Sequence, residues 1–131
     1  MKKTSSYVLR IGLAVTFIWI GVLILKQPEA WGGYLEPWVL RILPIPLGQI
    51  MFGTALLDIA IGVSFFINPL VWLAALIGGV HLIGILIVSG ITDITVRDIA
   101  ILAATIALFI DINPFRKPGD QNDQGRSSET P

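Results

Sequence analysis

The chain has 131 residues, of which 54% are hydrophobic and 14% are charged, and its mean hydropathy is +0.80. One small domain fits this length, and a net charge of zero provides no basic surface for nucleic acid. Cysteine is absent, which excludes disulfides and thiolate metal sites. A soluble core of this size could not bury so much apolar surface, so the composition predicts an integral membrane protein in a lipid bilayer.

The first predicted membrane helix covers about residues 7–25 and follows a short polar leader at residues 1–6. This segment is apolar except for Arg10, whose aliphatic stem can reach the membrane interface. It is too long for the apolar region of a signal peptide and has no small-x-small cleavage site, so we interpret it as an uncleaved helix.

A connection at residues 26–45 follows, and it is expected to form an interfacial cap. Pro28, Gly32-Gly33 and Pro37 rule out one continuous helix there. A short interfacial helix is predicted over 34–43, with Pro37 in its first turn. Three aromatic residues favour the headgroup zone and are predicted interface anchors: Trp31, Tyr34 and Trp38. The cap is either a surface cover for the helices, or it is functional, as the roof of a pocket or as the docking face for a partner protein.

Two further membrane helices are predicted at about 47–67 and 70–88. The chain has no Asp, Glu, Lys or Arg from Ile59 to Thr92, and the one break in this run is Asn68-Pro69. Proline removes a backbone donor and disfavours helical geometry in the residue before it, so this dipeptide predicts a tight turn between two spans.

The fourth helix is predicted at about 95–112, and residues 113–131 are expected to be a disordered, solvated cytoplasmic tail. With four spans both termini lie on one side. Basic residues are more numerous there, at Lys2, Lys3, Arg10, Arg116, Lys117 and Arg126, than on the other side, at Lys26, Arg41 and Arg97. This excess places both termini in the cytoplasm.

The expected fold is therefore all-α, an antiparallel four-helix bundle across the cell membrane with a cap after its first helix. Helices in lipid associate where small residues let backbones approach closely. Each span supplies such residues, among them Gly12, Gly21, Gly48, Gly53, Gly62, Gly78, Gly79, Gly84, Ala100 and Ala104.

Asp58 and His81 are the candidate ligand or proton site. Asp58 precedes the Asn68-Pro69 turn by about three helical turns and His81 follows it by a similar length. At about 1.5 Å per residue both lie roughly 15–18 Å from that turn, close to the bilayer midplane, where they can meet. Ionisable groups at such depth cost several kcal/mol and are candidates for function. The alternative is structural, a carboxyl group and an imidazole that fix the register of two helices.

A second, outer polar layer is expected toward the non-cytoplasmic face. Its members are Gln49, Glu36, Arg41, Arg97 and Asp98. They form either structural pairs between the cap and helix four, or a site for an anion or a polar headgroup. On the cytoplasmic side, Arg10 and Asp111 fall at similar depth and are expected to pair structurally.

Recognised catalytic patterns are missing from the sequence. A single histidine and no cysteine make a metal site poorly supported, and no nucleotide-binding loop, nucleophile elbow or zincin motif occurs. No catalytic residue is therefore assigned, and the isolated chain is not expected to be a self-contained enzyme.

Several short patterns resemble the DoxX-like family of small four-helix membrane proteins, which includes subunits of thiosulfate:quinone oxidoreductase. They are an acidic residue followed by glycine in helix two (Leu57-Asp58 to Gly62), a histidine in helix three (Gly79-Val-His81) and the opening of helix four (Val96-Arg-Asp-Ile). The resemblance covers residues 7–112. It implies a membrane subunit or accessory protein of a quinone-linked or a sulfur/oxidative-stress redox system, and quinone is the one cofactor it suggests.

Three functions stay open at this point. The first is a non-catalytic subunit that supports a membrane or membrane-associated redox protein and shelters a quinone. The second is a small permease or proton-coupled carrier that uses the intramembrane Asp58–His81 pair and would require a homo-oligomer. The third is a membrane enzyme acting on a lipid-soluble substrate.

Overall fold

The computed structural model describes residues 1–115, and within that range the chain is helical with no strand. The elements are α1 Lys3–Lys26, α2 Pro28–Gly32, α3 Pro37–Ile42, α4 Leu47–Ser64, a 3₁₀ turn Asn68–Leu70, α5 Val71–Ser89 and α6 Val96–Ile112. Of the predicted tail at 113–131, residues 116–131 lie outside the described range.

Three segments are long and apolar enough to cross a membrane: Lys3–Lys26, Leu47–Ser64 and Asn68–Ser89. Their outward faces are apolar as well as their inward ones. On α1 the side chains of Val8, Ile11, Val15 and Trp19 form an exposed stripe at helical spacing. A helix that is apolar all round belongs in a large core or in lipid. The protein is therefore compatible with direct contact to a lipid bilayer.

Two helix ends differ from the sequence-based prediction. The first helix begins at Lys3 rather than at residue 7, so the predicted leader 1–6 is mostly helical, and Ser6 N–H donates to Lys2 O at 3.1 Å in its first turn. The second membrane helix ends at Ser64 rather than at residue 67. Arg10 donates to the backbone carbonyl of Phe65 and, at 2.7 Å, to Asn68 Oδ1, which stabilises an earlier end of α4.

The cap contains one helix more than predicted. α2 begins at Pro28, immediately after α1, and it packs against α4, where Gly32 lies against the side chain of Leu47. α3 begins at Pro37, the residue expected in its first turn. Between them, Glu36 N–H donates to Val88 O at 2.8 Å, which ties the cap to the end of α5.

Glycine at two positions sets the distance between α1 and α4, the most extensively packed pair of helices. A Cβ added at Gly62 would lie 2.9 Å from Ala14 O, and one added at Gly21 would lie 2.7 Å from Ala55 O. No side chain fits at these two points, so the two backbones cross in direct contact. The Phe17 ring of α1 also packs against the ring of Phe65 at the end of α4, at a centroid distance of 6.0 Å. α5 packs mainly along α6.

Candidate functional site

Asp58 on α4 and His81 on α5 meet inside the helical assembly. Asp58 Oδ1 lies 3.0 Å from His81 Nε2, and the two side chains are 3% and 14% exposed. Asp58 lies one helical turn before Gly62, on the buried face that α4 packs against its neighbours. Counting residues from the Asn68-Pro69 turn predicted that the two side chains can meet, and the packing of α4 and α5 brings them to the same point.

The hydrogen bonding of this pair is incomplete. The atoms Asp58 Oδ1 and His81 Nε2 are close enough to interact, but their alignment does not meet hydrogen-bond geometry, and Asp58 Oδ2 has no hydrogen-bond partner within residues 1–115. A buried carboxylate without partners carries a desolvation cost of several kcal/mol. Such a group is expected either to share a proton with its neighbour or to bind something else.

The pair lies at the wall of a cavity of about 200 Å³ between the helices and the cap. Most of the wall is apolar, and each long helix contributes a stripe to it. The apolar and aromatic side chains that form it include Phe17, Ile20, Ile24, Trp31, Leu35, Val39, Ile50, Met51, Leu82, Ile85 and Ile101. A concave, mostly apolar space with a few polar groups at its wall is the usual form of a small-molecule site.

Three threonines line the cavity, Thr16, Thr54 and Thr95, and the sequence analysis identified none of them as a site residue. Thr54 lies one turn before Asp58 on the same face of α4, and this i, i+4 spacing was the signal that could have identified it. Its hydroxyl donates to Ile50 O at 2.9 Å, and the Thr16 hydroxyl donates to Gly12 O at 2.8 Å. Both hydroxyl protons are therefore used within their own helices.

The predicted outer polar layer is only partly assembled. Arg97 and Asp98 line the cavity, with Arg97 Nε 3.7 Å from Asp98 Oδ1, and Asp98 is buried. Glu36, Arg41 and Gln49 are exposed and lie outside the cavity wall, so the expected convergence of all five residues is wrong. The cap meets α6 through aromatic contacts instead of the expected charge pairs.

A cation–π contact between Arg97 of α6 and Trp31 of the cap joins these two elements. The guanidinium carbon of Arg97 lies 5.5 Å from the centre of the Trp31 ring, and Trp31 packs edge-on against Tyr34 at 6.5 Å. Trp31 and Tyr34 both line the cavity, whereas Trp38 lies outside it. Two of the three predicted interface anchors therefore belong to the cavity wall, where a cation–π contact links the cap to α6.

The turn between α5 and α6 positions Asp98. Gly90 has a φ of +64°, a left-handed conformation that glycine adopts without strain. Thr95 Oγ1 donates to Gly90 O at 2.6 Å, and the Thr92 N–H donates to Thr95 Oγ1 at 2.7 Å. This turn starts α6 so that Asp98 falls in its first turn, where the helix dipole favours a carboxylate. Asp98 lines the same cavity as Asp58 and His81.

The opposite end of the molecule is organised differently from the prediction. Asp111 Oδ1 accepts from the Met1 amino group at 2.8 Å, and Arg10 is engaged by Phe65 O and Asn68. The expected Arg10–Asp111 pair therefore does not form, because each side chain has other partners: Phe65 O and Asn68 for Arg10, and the Met1 amino group for Asp111.

Within residues 1–115, no three histidine or acidic side chains come together in a way that could hold a metal ion. The fold and the site define an all-helical protein with three helices able to span a membrane and a buried acid–imidazole pair beside an apolar cavity. Comparison with protein-family models, curated proteins and solved structures gives no match to this chain.

Proposed function

We propose that the chain is a small integral membrane protein that serves, without catalysis of its own, as an accessory subunit of a quinone-linked redox system. The observation that carries this proposal is the apolar cavity with the Asp58–His81 pair at its wall. The resemblance of the motifs around Asp58, His81 and Arg97 to DoxX-like proteins favours the same function. Its partner would be a membrane or membrane-associated redox protein.

The size of the cavity favours a single ring as the bound group. Its volume of about 200 Å³ exceeds the roughly 150 Å³ of an apolar cavity that admits benzene, and it falls short of the about 300 Å³ at which pockets for larger ligands begin. A quinone head group is one substituted ring. An isoprenoid tail would not fit beside it and would extend between helices into the lipid.

We further propose four membrane crossings with both termini in the cytoplasm. α6 has 17 residues, the lower end of the length that spans a bilayer, and it packs along α5 and α1. A fourth crossing returns the chain to the side where it began. The larger number of basic residues near the two ends of the chain then favours the cytoplasm for that side.

The proposal is tested by purifying the full chain from its own membranes in a mild detergent. Mass spectrometry is expected to detect a stoichiometric protein partner and an isoprenoid quinone in the lipid extract. A Thr54→Phe variant places a ring inside the cavity and is expected to lose at least nine-tenths of the quinone. Leu57→Phe adds the same ring on the exposed face of α4 and is the matched control. A lone, ligand-free chain would refute the proposal.

A proton-coupled carrier is the second candidate, and the buried Asp58–His81 pair is the observation that favours it. A carboxylate and an imidazole 3.0 Å apart can hold one proton between them and exchange it when the site opens. The protein in liposomes would then conduct protons under an imposed pH gradient, as reported by an enclosed pH-sensitive dye. Asp58→Asn would abolish the flux and Asp111→Asn would not. Absence of flux in the wild-type protein would refute the carrier.

A further inference from the structure

We infer that the cavity selects a ring that carries a hydroxyl donor, of the phenol or hydroquinone class, over the oxidised quinone ring. The O–H group of the ligand would donate to the carboxylate of Asp58. This inference rests on the proposed ring site in the cavity and specifies which oxidation state that site prefers.

The carboxylate of Asp58 has unused capacity to accept hydrogen bonds. An ionised carboxylate accepts about four, yet its one close polar neighbour is His81 Nε2 at 3.0 Å, and Oδ2 has no partner within residues 1–115. If the pair instead shares one proton between Oδ1 and Nε2, Oδ2 is still an acceptor. Because the terminal torsion of aspartate is broad and two-fold, either oxygen can turn toward the cavity at low cost.

Donors beside Asp58 are scarce in comparison. The hydroxyl protons of Thr16 and Thr54 are used by carbonyl groups of their own helices. Arg97, the charged donor in the cavity wall, faces Asp98 at 3.7 Å. His81 Nε2, which faces Asp58 Oδ1 at 3.0 Å, also has no hydrogen-bond partner within residues 1–115 and could donate to a carbonyl oxygen of an oxidised ring. That carbonyl oxygen would still leave Asp58 Oδ2 without a donor, because neither threonine hydroxyl is free. A ring hydroxyl in the same place supplies the donor that the carboxylate lacks.

The polar contact at Asp58 is therefore expected to set the difference in binding affinity between the reduced and the oxidised ring. A hydrogen bond to a charged group in a dry site is stronger than one between neutral groups, and leaving the carboxylate unpaired against a carbonyl carries a further penalty. The apolar wall contacts both oxidation states of one ring in the same way. The difference in affinity therefore reports the contact at Asp58 rather than the fit of the ring.

The first test uses the wild-type chain in detergent micelles and a pair of redox-inert probes, 2,3,5,6-tetramethylphenol and its methyl ether. Their rings are the same, and only the phenol has a donor. Equilibrium dialysis is expected to show that the phenol binds at least tenfold more tightly. Tetramethylhydroquinone and tetramethylbenzoquinone, compared without oxygen, are expected to differ in the same direction.

The second test changes the acceptor. Asp58→Asn puts an N–H donor in place of a carboxylate oxygen, and it is expected to reduce the preference for hydroquinone over quinone at least tenfold or to reverse it. Asp111→Asn makes the same chemical change outside the cavity and is expected to keep the wild-type preference. The wild-type probe pair decides the question even if Asp58→Asn does not fold.

The results separate this inference from the proposed function. Equal binding of phenol and ether, or of hydroquinone and quinone, would overturn the inference and leave the ring site intact. Failure of all four probes to bind would also overturn it. The accessory role is tested separately, by whether a protein partner and an isoprenoid quinone co-purify with the chain. Binding of the four probes gives no information on that question.

Discussion

Replacing Gly62 by alanine is expected to force α1 and α4 apart at the point where they cross. The new Cβ would lie 2.6 Å from Ile18 Cγ1 and 2.9 Å from both Ala14 O and Ile18 N. Ordinary van der Waals contact of a Cβ begins at about 3.4 Å, so relief of the two backbone contacts requires the helices to separate by roughly 0.5 Å. The Ile18 side chain can rotate away, but the two backbone atoms cannot. Overpacking of this kind costs about 1–3 kcal/mol.

Gly53→Ala is the matched control for this prediction. Gly53 lies on the same helix, and nothing lies within 4 Å of an added Cβ there. Both substitutions gain the same helix propensity, about 0.5–1 kcal/mol, so the difference between them isolates the crossing. Reversible unfolding in mixed micelles, followed by circular dichroism, measures the free energy of each variant. Equal stabilities within about 0.5 kcal/mol would refute the close approach of α1 and α4.

Two further substitutions test contacts that hold the ends of the molecule. Arg10→Gln is expected to lower the free energy of unfolding by about 1–2 kcal/mol, because the Phe65 carbonyl and Asn68 lose a charged donor; unchanged stability in the same micelle assay would contradict it. Arg97→Gln removes the cation from the Trp31 ring and is expected to cost about 0.5–1 kcal/mol, whereas Arg97→Lys retains part of the contact. If glutamine and lysine at this position gave the same stability, the cation–π contact would contribute nothing.

Much of the helical layout was predictable, because its causes are local. The turn at Asn68-Pro69 and the start of α3 at Pro37 follow from the covalent geometry of proline. Helix ends set by tertiary contacts were predicted less well. α4 stops at Ser64 because Arg10, far away in sequence, supplies donors at the end of that helix.

The candidate site was predictable in depth but not in rotation about the helix axis. Counting residues from the turn predicted that Asp58 and His81 share a level, and the same counting could not show which residues of the outer layer face inward. Arg97 and Asp98 face the cavity, while Gln49 on α4 points away from it. The sequence also could not show which glycines lie at a helix contact. Gly62 is in contact with the backbone of α1, whereas nothing lies within 4 Å of a Cβ added at Gly53.

The sequence by itself predicted a lipid medium, the approximate lengths of the long helices and the common level of one acid and one imidazole. Those properties depend on composition and on distance along the chain, which are written in the order of residues. Only the tertiary structure decided that a cavity exists, that Trp31 and Tyr34 belong to its wall and that Asp58 retains free acceptor capacity. These depend on how each helix is rotated against its neighbours, and that rotation is fixed by backbone contacts between residues far apart in the chain.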